Sequence, residues 1–273
     1  MNWNTLFSKE QTITPAEAKR LMGAGGDNEY QLLDVRQPKE YEQSHIPGAI
    51  LIPLSDLVDK LSLLDKSNPV IVYCRSGVRS KAGCQILVQA GFSDCFNMSG
   101  GILKWNGAEA IGDEQFGLEY FVNGDFSSTF TMAYQMELNL KQFYLLLSED
   151  CSSDAEKDML KQMALLEDGH MAKLQSRYKN QHDSSAPLEK TAGILEGGID
   201  PEEMRSALAG QLGSEENVLQ LAMKLEAQAL DLYSRLAREH KGDEIALFFK
   251  EMSHEEQAHL QRLAKQLDKI LVN

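Results

Sequence analysis

Apolar and polar positions follow two different rhythms along this chain. Up to about residue 110 the apolar residues come in short blocks. YQLLDV (30–35) and PVIVYC (69–74) are too short for helices and rich in aliphatic and aromatic residues, so they predict buried strands. Helical stretches lie before and after them. Thr14-Pro15-Ala16-Glu17 offers an N-cap threonine, a proline at the first helical position and a glutamate that closes a capping box. KAGCQILVQAG (81–91) reads as a helix ended by Gly91. Strands alternating with helices predict an α/β domain with a mainly parallel sheet flanked by helices.

After about residue 112 the strand blocks stop. Four long amphipathic stretches follow, near 127–149, 154–178, 215–240 and 243–271. SEDCSSD joins the first two and EHKGD the last two. A long connection, 179–214, lies between the pairs and carries its own short helix at PEEMRSALAG. Short, long, short is the connectivity of a four-helix bundle with one crossover. The expected division is an α/β domain over 1–112 and an all-α domain over 113–273.

Composition sharpens this division. The chain has 273 residues, 42% hydrophobic and 25% charged, which fits two globular domains. No apolar run approaches the ~18 residues needed to span a bilayer, so no membrane partner is expected. MNWNTLFSKEQ has no basic region followed by an apolar core, the pattern of a secretory signal. The net charge of −14 is uneven. Residues 1–112 hold 11 Lys+Arg against 12 Asp+Glu, and residues 113–273 hold 16 against 29. So acidic a second half argues against nucleic acid as a partner. The four cysteines, Cys74, Cys84, Cys95 and Cys151, form no C-x-x-C pair, which removes a rubredoxin-type or zinc-ribbon site. Their sparse spacing fits a reducing, cytoplasmic setting.

The helix containing ALLEDGHMAKL (164–174) places Glu167 and His170, three residues apart, on the side that carries Met163, Leu166 and Leu174. The second helix pair repeats the first at an offset of 89 residues. Ala133 matches Ala222, Glu137 matches Glu226, Tyr144 matches Tyr233 and Leu147 matches Leu236. On the following helices Met163 matches Met252, Glu167 matches Glu256, His170 matches His259 and Leu174 matches Leu263. All six polar groups point at the bundle interior. Four carboxylates buried together would repel one another and lose hydration, and two multivalent cations would neutralise them. Oxygen-rich ligation with one imidazole per metal suits iron or manganese. HEEQAH (254–259) is not a zincin motif, because Ala258 stands where the second histidine is required. His254 and Glu255 are expected to face outward, and His45, His182 and His240 to be ordinary surface or turn residues.

Residues 127–273 thus resemble the ferritin-like superfamily, most closely its rubrerythrin-type di-iron branch. The resemblance implies Glu137 and Glu226 as terminal ligands, Glu167 and Glu256 as bridging ligands, and His170 and His259 as one ligand to each metal. It also implies Tyr144 and Tyr233 as hydrogen-bonding groups behind the ligands. Such a centre of two iron ions, or of manganese, reduces peroxide or oxygen. The chain lacks the rubredoxin cysteines that feed electrons to it, so an external electron donor is expected, or else a ferroxidase-like role. A homodimer is expected by the same resemblance.

The other informative stretch is IVYCRSGVRSKAG (71–83). A strand ends at Cys74, and RSGVR leads into a helix starting near Ser80. Amides and the dipole at a helix N-terminus, with Arg75 and Arg79 nearby, are expected to favour the thiolate of an exposed nucleophile. Gly77 lets the backbone turn so that amides converge on the sulfur. Cysteine phosphatases wrap phosphate in C-x5-R. Cys74 to Arg79 is C-x4-R, a smaller cradle suited to sulfane sulfur and the sulfonate end of thiosulfate. With LLDVRQPKEYEQSHIPGAILIP (32–53) and SGGILKWNG (99–107), residues 10–110 resemble the rhodanese family. The resemblance implies that Cys74 accepts sulfur as a persulfide from a small donor and passes it to a small acceptor. The loop Cys74, Arg75, Ser76, Gly77, Val78 and Arg79 is the catalytic segment. Asp34 and Arg36 are expected to brace the fold, and Cys84, Cys95 and Cys151 to be core or incidental. The whole reads as a rhodanese-type sulfurtransferase joined to a di-iron oxidoreductase. The alternative is an iron-binding or ferroxidase-like protein with the rhodanese as a docking or delivery module.

Overall fold

The apolar block at 69–74 becomes the middle of a sheet. The computed structural model describes residues 11–23, 30–118, 129–151, 153–178, 193–195, 199–208, 212–240 and 244–272. The chain forms two units, Met1–Glu114 and Gln115–Asn273. The N-terminal stretch, most of the 179–214 connection, the end of the EHKGD turn and His182 lie outside the described residues.

The first unit is built on five parallel strands: β1 (Gln11–Ile13), β2 (Gln31–Asp34), β3 (Ile50–Leu51), β4 (Val70–Tyr73) and β5 (Cys95–Met98), in the order β1-β5-β4-β2-β3. Helices α1 (Pro15–Gly23), α2 (Pro38–Gln43) and α3 (Val78–Gln89) accompany them. β4 is buried along its length and serves two cores by alternation. Val70 and Val72 pack with Leu33, Val35, Cys84 and Leu87 on one face. Ile71 and Tyr73 pack with Ala18, Leu32, Tyr41 and Met98 on the other. Burial on both faces explains why the block is continuously apolar. The capping box forms as expected: the Thr14 amide donates to Glu17 Oε2 at 2.8 Å, and the Glu17 amide to Thr14 Oγ1 at 3.2 Å.

The connections after β2 and β4 run to opposite sides, to β3 and to β5 respectively. Open α/β sheets place ligand crevices at such a switch point, beyond the carboxyl ends of the strands. Asp34 and Arg36 brace that end. The Arg36 Nη2 lies 2.7 Å from Asp34 Oδ2 and donates to the Ser44 carbonyl at 2.7 Å, with both side chains buried. His45 is buried, contrary to the expectation of a surface position. It stacks on Tyr41 with ring centroids 3.6 Å apart, and its backbone pairs in both directions with Ala110.

The second unit contains α4 (Thr129–Asp150), α5 (Asp154–Tyr178), the short α6 (Pro201–Leu208), α7 (Glu215–Glu239) and α8 (Glu244–Val272). α4 packs on α5 and α7 on α8, as short turns between antiparallel neighbours require. The interior is layered. One apolar cluster holds Leu140, Tyr144 and Leu147 of α4, Met163 of α5, Leu219, Ala222 and Leu225 of α7, and Leu263 of α8. The other holds Ala133 and Met136 of α4, Leu174 of α5, Ala229, Tyr233 and Leu236 of α7, and Met252 of α8. Each apolar residue matched by the 89-residue offset therefore lies in the opposite cluster from its counterpart. The repeat acts as an internal two-fold that exchanges the two apolar layers. On every long helix the residues between the layers are the polar ones: Glu137, then Glu167 and His170, then Glu226, then Glu256 and His259.

Candidate functional sites

β4 ends at Tyr73 and α3 begins at Val78, leaving Cys74, Arg75, Ser76 and Gly77 to make the turn. The helix starts two residues earlier than the expected Ser80, because Gly77 adopts φ +91 and serves as its N-cap. That conformation aims the Gly77 amide back at the sulfur, 3.1 Å from Cys74 Sγ. The Ser80 hydroxyl lies 3.5 Å from the same sulfur and 2.6 Å from Asn97 Oδ1, so its single proton is shared between them. Burial pushes the thiol pKa up. The Ser80 hydroxyl and the amides of Ser80, Ser76 and Gly77 outweigh burial, and the net shift is down. Cys95 goes the other way, raised to about 11 by burial and by the nearby Asp94 charge, and Cys151 is raised by burial and Glu156.

One expectation is corrected here. Cys74 is not an exposed nucleophile: only 1% of it meets solvent. The segment after β5 covers it, with the Ile102 amide donating to the Cys74 carbonyl at 2.9 Å and the Leu103 amide to that of Arg75 at 3.1 Å. A Cβ on Gly101 would fall 2.1 Å from the Cys74 carbonyl oxygen, so this approach requires glycine. Arg79 does act on the thiol as expected: after Glu40, the Cys74 charge is among the influences that raise the Arg79 pKa, so their attraction favours the thiolate, although the hydroxyl and the amides act more strongly. Arg79 makes two bonds to Glu40, at 2.7 and 2.8 Å, and that pairing lowers the Glu40 carboxyl to about 2. Arg75, Ser76 and Val78 are exposed around the loop.

Sequence reasoning missed Ser80, Asn97 and Glu40. Ser80 stands in the first turn of α3, where a hydroxyl faces the loop that precedes it. Asn97 is a buried polar residue in β5, pairing beside Val72 of β4, and a polar residue in so short a strand was its signal. Glu40 leaves no such signal, because its pairing with Arg79 depends on β2 and β4 being neighbours.

In the second unit the six polar residues meet. His170 Nδ1 lies 3.0 Å from Glu137 Oε2 and 3.2 Å from Glu167 Oε2. His259 Nδ1 lies 3.2 Å from Glu226 Oε2 and 3.3 Å from Glu256 Oε2. The two halves thus repeat one geometry, an imidazole facing one glutamate of its own helix and one of a neighbouring helix. The rings stack at 4.2 Å with Nε2 atoms 2.9 Å apart, so one imidazole donates there and the other accepts. Burial disfavours the His170 imidazolium, but Glu137 and Glu167 override it and push the pKa up to about 12. Burial likewise raises Glu167 well above the usual carboxylate range, helped by the charges of Glu137 and Glu226. Glu226 is lowered: burial opposes ionisation, and hydrogen bonds from Glu256 and His259 overcome it. Protons therefore compensate part of the charge.

These residues fit metal ions. All six side chains are buried. Glu137 Oε1 has no hydrogen-bond partner among the described residues. Donor atoms of Glu137, Glu167 and His170 lie within 4.8 Å of one another, as do those of His170, Glu256 and His259. Tyr144 and Tyr233 are buried in the flanking apolar layers. His254 is exposed, and Glu255 pairs with Lys173 at 2.9 Å.

Known proteins share both parts. A family model described as Rhodanese-like domain matches residues 14–108, and one described as Rubrerythrin matches residues 217–273. The protein YqhL of Bacillus subtilis is 42% identical over 97 residues, spanning 36% of this chain and 73% of the relative. Thiosulfate sulfurtransferase GlpE of Pseudomonas paraeruginosa is 33% identical over 95 residues, spanning 35% and 83%. The probable adenylyltransferase/sulfurtransferase MoeZ of Mycobacterium tuberculosis is 38% identical over 100 residues, but this chain spans only 25% of it. The crystal structure of a rhodanese-like domain protein from Staphylococcus aureus shares 31% identity over 35% of this chain and 91% of that one, with a TM-score of 0.33. The rubrerythrin match contains Glu226, Glu256 and His259, and the internal repeat gives Glu137, Glu167 and His170 at the same spacing. By these matches the chain belongs to the rhodanese family in its N-terminal part and joins to it a rubrerythrin-type, ferritin-like helical domain.

Proposed function

We propose that the protein is a sulfurtransferase that forms a persulfide on Cys74, coupled in one chain to a di-iron redox centre. The domains are taken as 1–112 and 113–273. The observation that carries the reading is that one chain holds both a thiolate-stabilising loop and a buried layer of four carboxylates and two imidazoles. In the first domain the Cys74 thiolate attacks the outer sulfur of a thiosulfate-type donor. The donor S–S bond breaks and sulfite leaves with its electron pair. An acceptor nucleophile then takes the outer sulfur from the persulfide, and the Cys74 thiolate returns with its electron pair. The amides of Ser76, Gly77 and Ser80 hold the negative sulfur through both steps. Arg75 and Arg79, with Ser76, Gly77 and Val78, complete the loop that receives the donor.

In the second domain Glu137, Glu167, His170, Glu226, Glu256 and His259 hold two iron ions, with manganese as the other metal this donor set suits. When bound, such a pair supplies the electrons for reduction of peroxide or oxygen. The glutamates would compensate the charge, and apolar layers lie above and below the ligands. Electrons come from an external donor, and a cytoplasmic homodimer is the expected form. Among the described residues no helix is long and apolar enough to cross a membrane.

Sulfur transfer from thiosulfate to cyanide, measured as thiocyanate, tests the first half. The parent transfers sulfur, and equal rates for the parent and Cys74→Ser overturn the assignment. Peroxide-dependent oxidation of the iron-loaded chain tests the second. Oxidation of added ferrous iron without peroxide turnover favours the ferroxidase-like alternative.

A further inference from the structure

β2 and β4 are parallel neighbours, with Asp34 beside Tyr73, so the segments that lead into α2 and α3 leave the sheet at the same end. Glu40, in the first turn of α2, there meets Arg79, in the first turn of α3. The contact is two-pronged, Nη1 to Oε2 at 2.7 Å and Nη2 to Oε1 at 2.8 Å. Such a fork holds both groups ionised. Asp34 and Arg36 beside them pair with each other at 2.7 Å. The two pairs add no net charge to this end of the sheet.

That balance bears on which sulfur donor the Cys74 loop accepts. Cys74 is buried, so a donor sheds water to reach it, and a second negative charge makes that loss costlier. A free guanidinium in the loop would favour a dianion over a monoanion. Arg79 is held chiefly by Glu40, with the Cys74 charge a further influence on it, so the guanidinium is near enough to act on the sulfur. Its charge is nevertheless matched by the carboxylate, and the advantage of a dianion shrinks with it. Glu40 also caps α2, its Oε2 accepting from the Gln37 amide at 3.2 Å. Glutamine at this position keeps a capping oxygen and removes only the charge.

We infer that Glu40 is a specificity-determining residue of the sulfur-transfer site: by matching the Arg79 charge it turns the Cys74 loop toward sulfane-sulfur donors with one negative charge at the reacting end, of the class of thiosulfonates and persulfides, and away from the thiosulfate dianion. The inference rests on the sulfurtransferase reading and adds a donor class to it. With a thiosulfonate the Cys74 thiolate attacks the outer sulfur, the S–S bond breaks, and a sulfinate monoanion leaves with the electron pair. Thiosulfate releases sulfite, a dianion, in the same step.

The test compares thiosulfate with benzenethiosulfonate as donors to the full chain, with cyanide as acceptor and thiocyanate as the product measured. The quantity read is kcat/KM for thiosulfate divided by that for benzenethiosulfonate. A change in thiolate fraction or in loop order acts on both donors and cancels in this ratio. Glu40→Gln is expected to raise the ratio by about fivefold, and Arg79→Gln, which leaves the Glu40 charge unmatched, to lower it by a similar factor. Both shifts shrink at high ionic strength, since the pair is about a third exposed, at 33% and 31%. The same ratio in all three proteins, or a shift in one direction for both variants, overturns the inference and leaves the sulfurtransferase reading intact. Glu40→Gln inactive with both donors also overturns it, because a residue that only selects charge is not required for turnover. A parent chain that takes sulfur from neither donor overturns both.

Discussion

In the proposed function Cys74 carries the chemistry of the first domain because of what surrounds it, not because of its own exposure. Its lowered pKa comes from amides and one hydroxyl acting against burial. The thiolate is the reactive form, so alkylation of Cys74 slows as the pH falls through that lowered pKa. The measured inflection should lie below the ~8.5 of a free thiol. Ser80→Ala should move it upward while leaving the Gly77 contact in place. An unchanged profile in Ser80→Ala would remove the hydroxyl from the account. The Arg79–Glu40 pair belongs to the same scale. The Glu40 carboxyl is lowered, so the pair is complete above the ordinary carboxylate range and is lost only as the pH falls toward about 2. It therefore stays formed wherever sulfur transfer is assayed.

At the scale of elements, glycines separate two kinds of demand. Gly101 is fixed by the approach of its segment to the Cys74 carbonyl, at φ +56. Gly101→Ala should cost about 1–3 kcal/mol in thermal unfolding and abolish sulfur transfer with it. Gly169 is different. It lies exposed within α5, and a Cβ there meets nothing within 4 Å. Gly169→Ala should stabilise the chain by about 0.5–1 kcal/mol, visible as a raised Tm. A lowered Tm would mean that α5 needs the glycine for a contact that the packing does not reveal.

Much of this level was legible in the sequence. The capping box at Thr14, the strand blocks at 30–35 and 69–74 and the four long helices all form, since each rests on local periodicity or capping. The two-residue β3 and the short α2 were not legible, because neither is long enough to show a period. The burial of Cys74 and His45 was also hidden. Both depend on segments far away in the chain, residues 99–103 for the cysteine and Ala110 for the histidine.

At the scale of the whole molecule, the bundle site was readable because the chain states it twice. One E-x-x-H supports only a buried hydrogen-bonded pair. Two, related by the offset that also exchanges the apolar layers, define a symmetric interior. Metal bound by these groups should be lost in acid, as its ligands must be deprotonated, and retention well below the carboxylate range would count against them.

Elemental analysis of the purified parent chain against Glu167→Ala/Glu256→Ala is the most direct test of the joined-site account. The parent is predicted to hold about two iron or manganese ions per chain and the variant almost none, with sulfur transfer at Cys74 equal in both. Equal metal content in parent and variant would contradict the account.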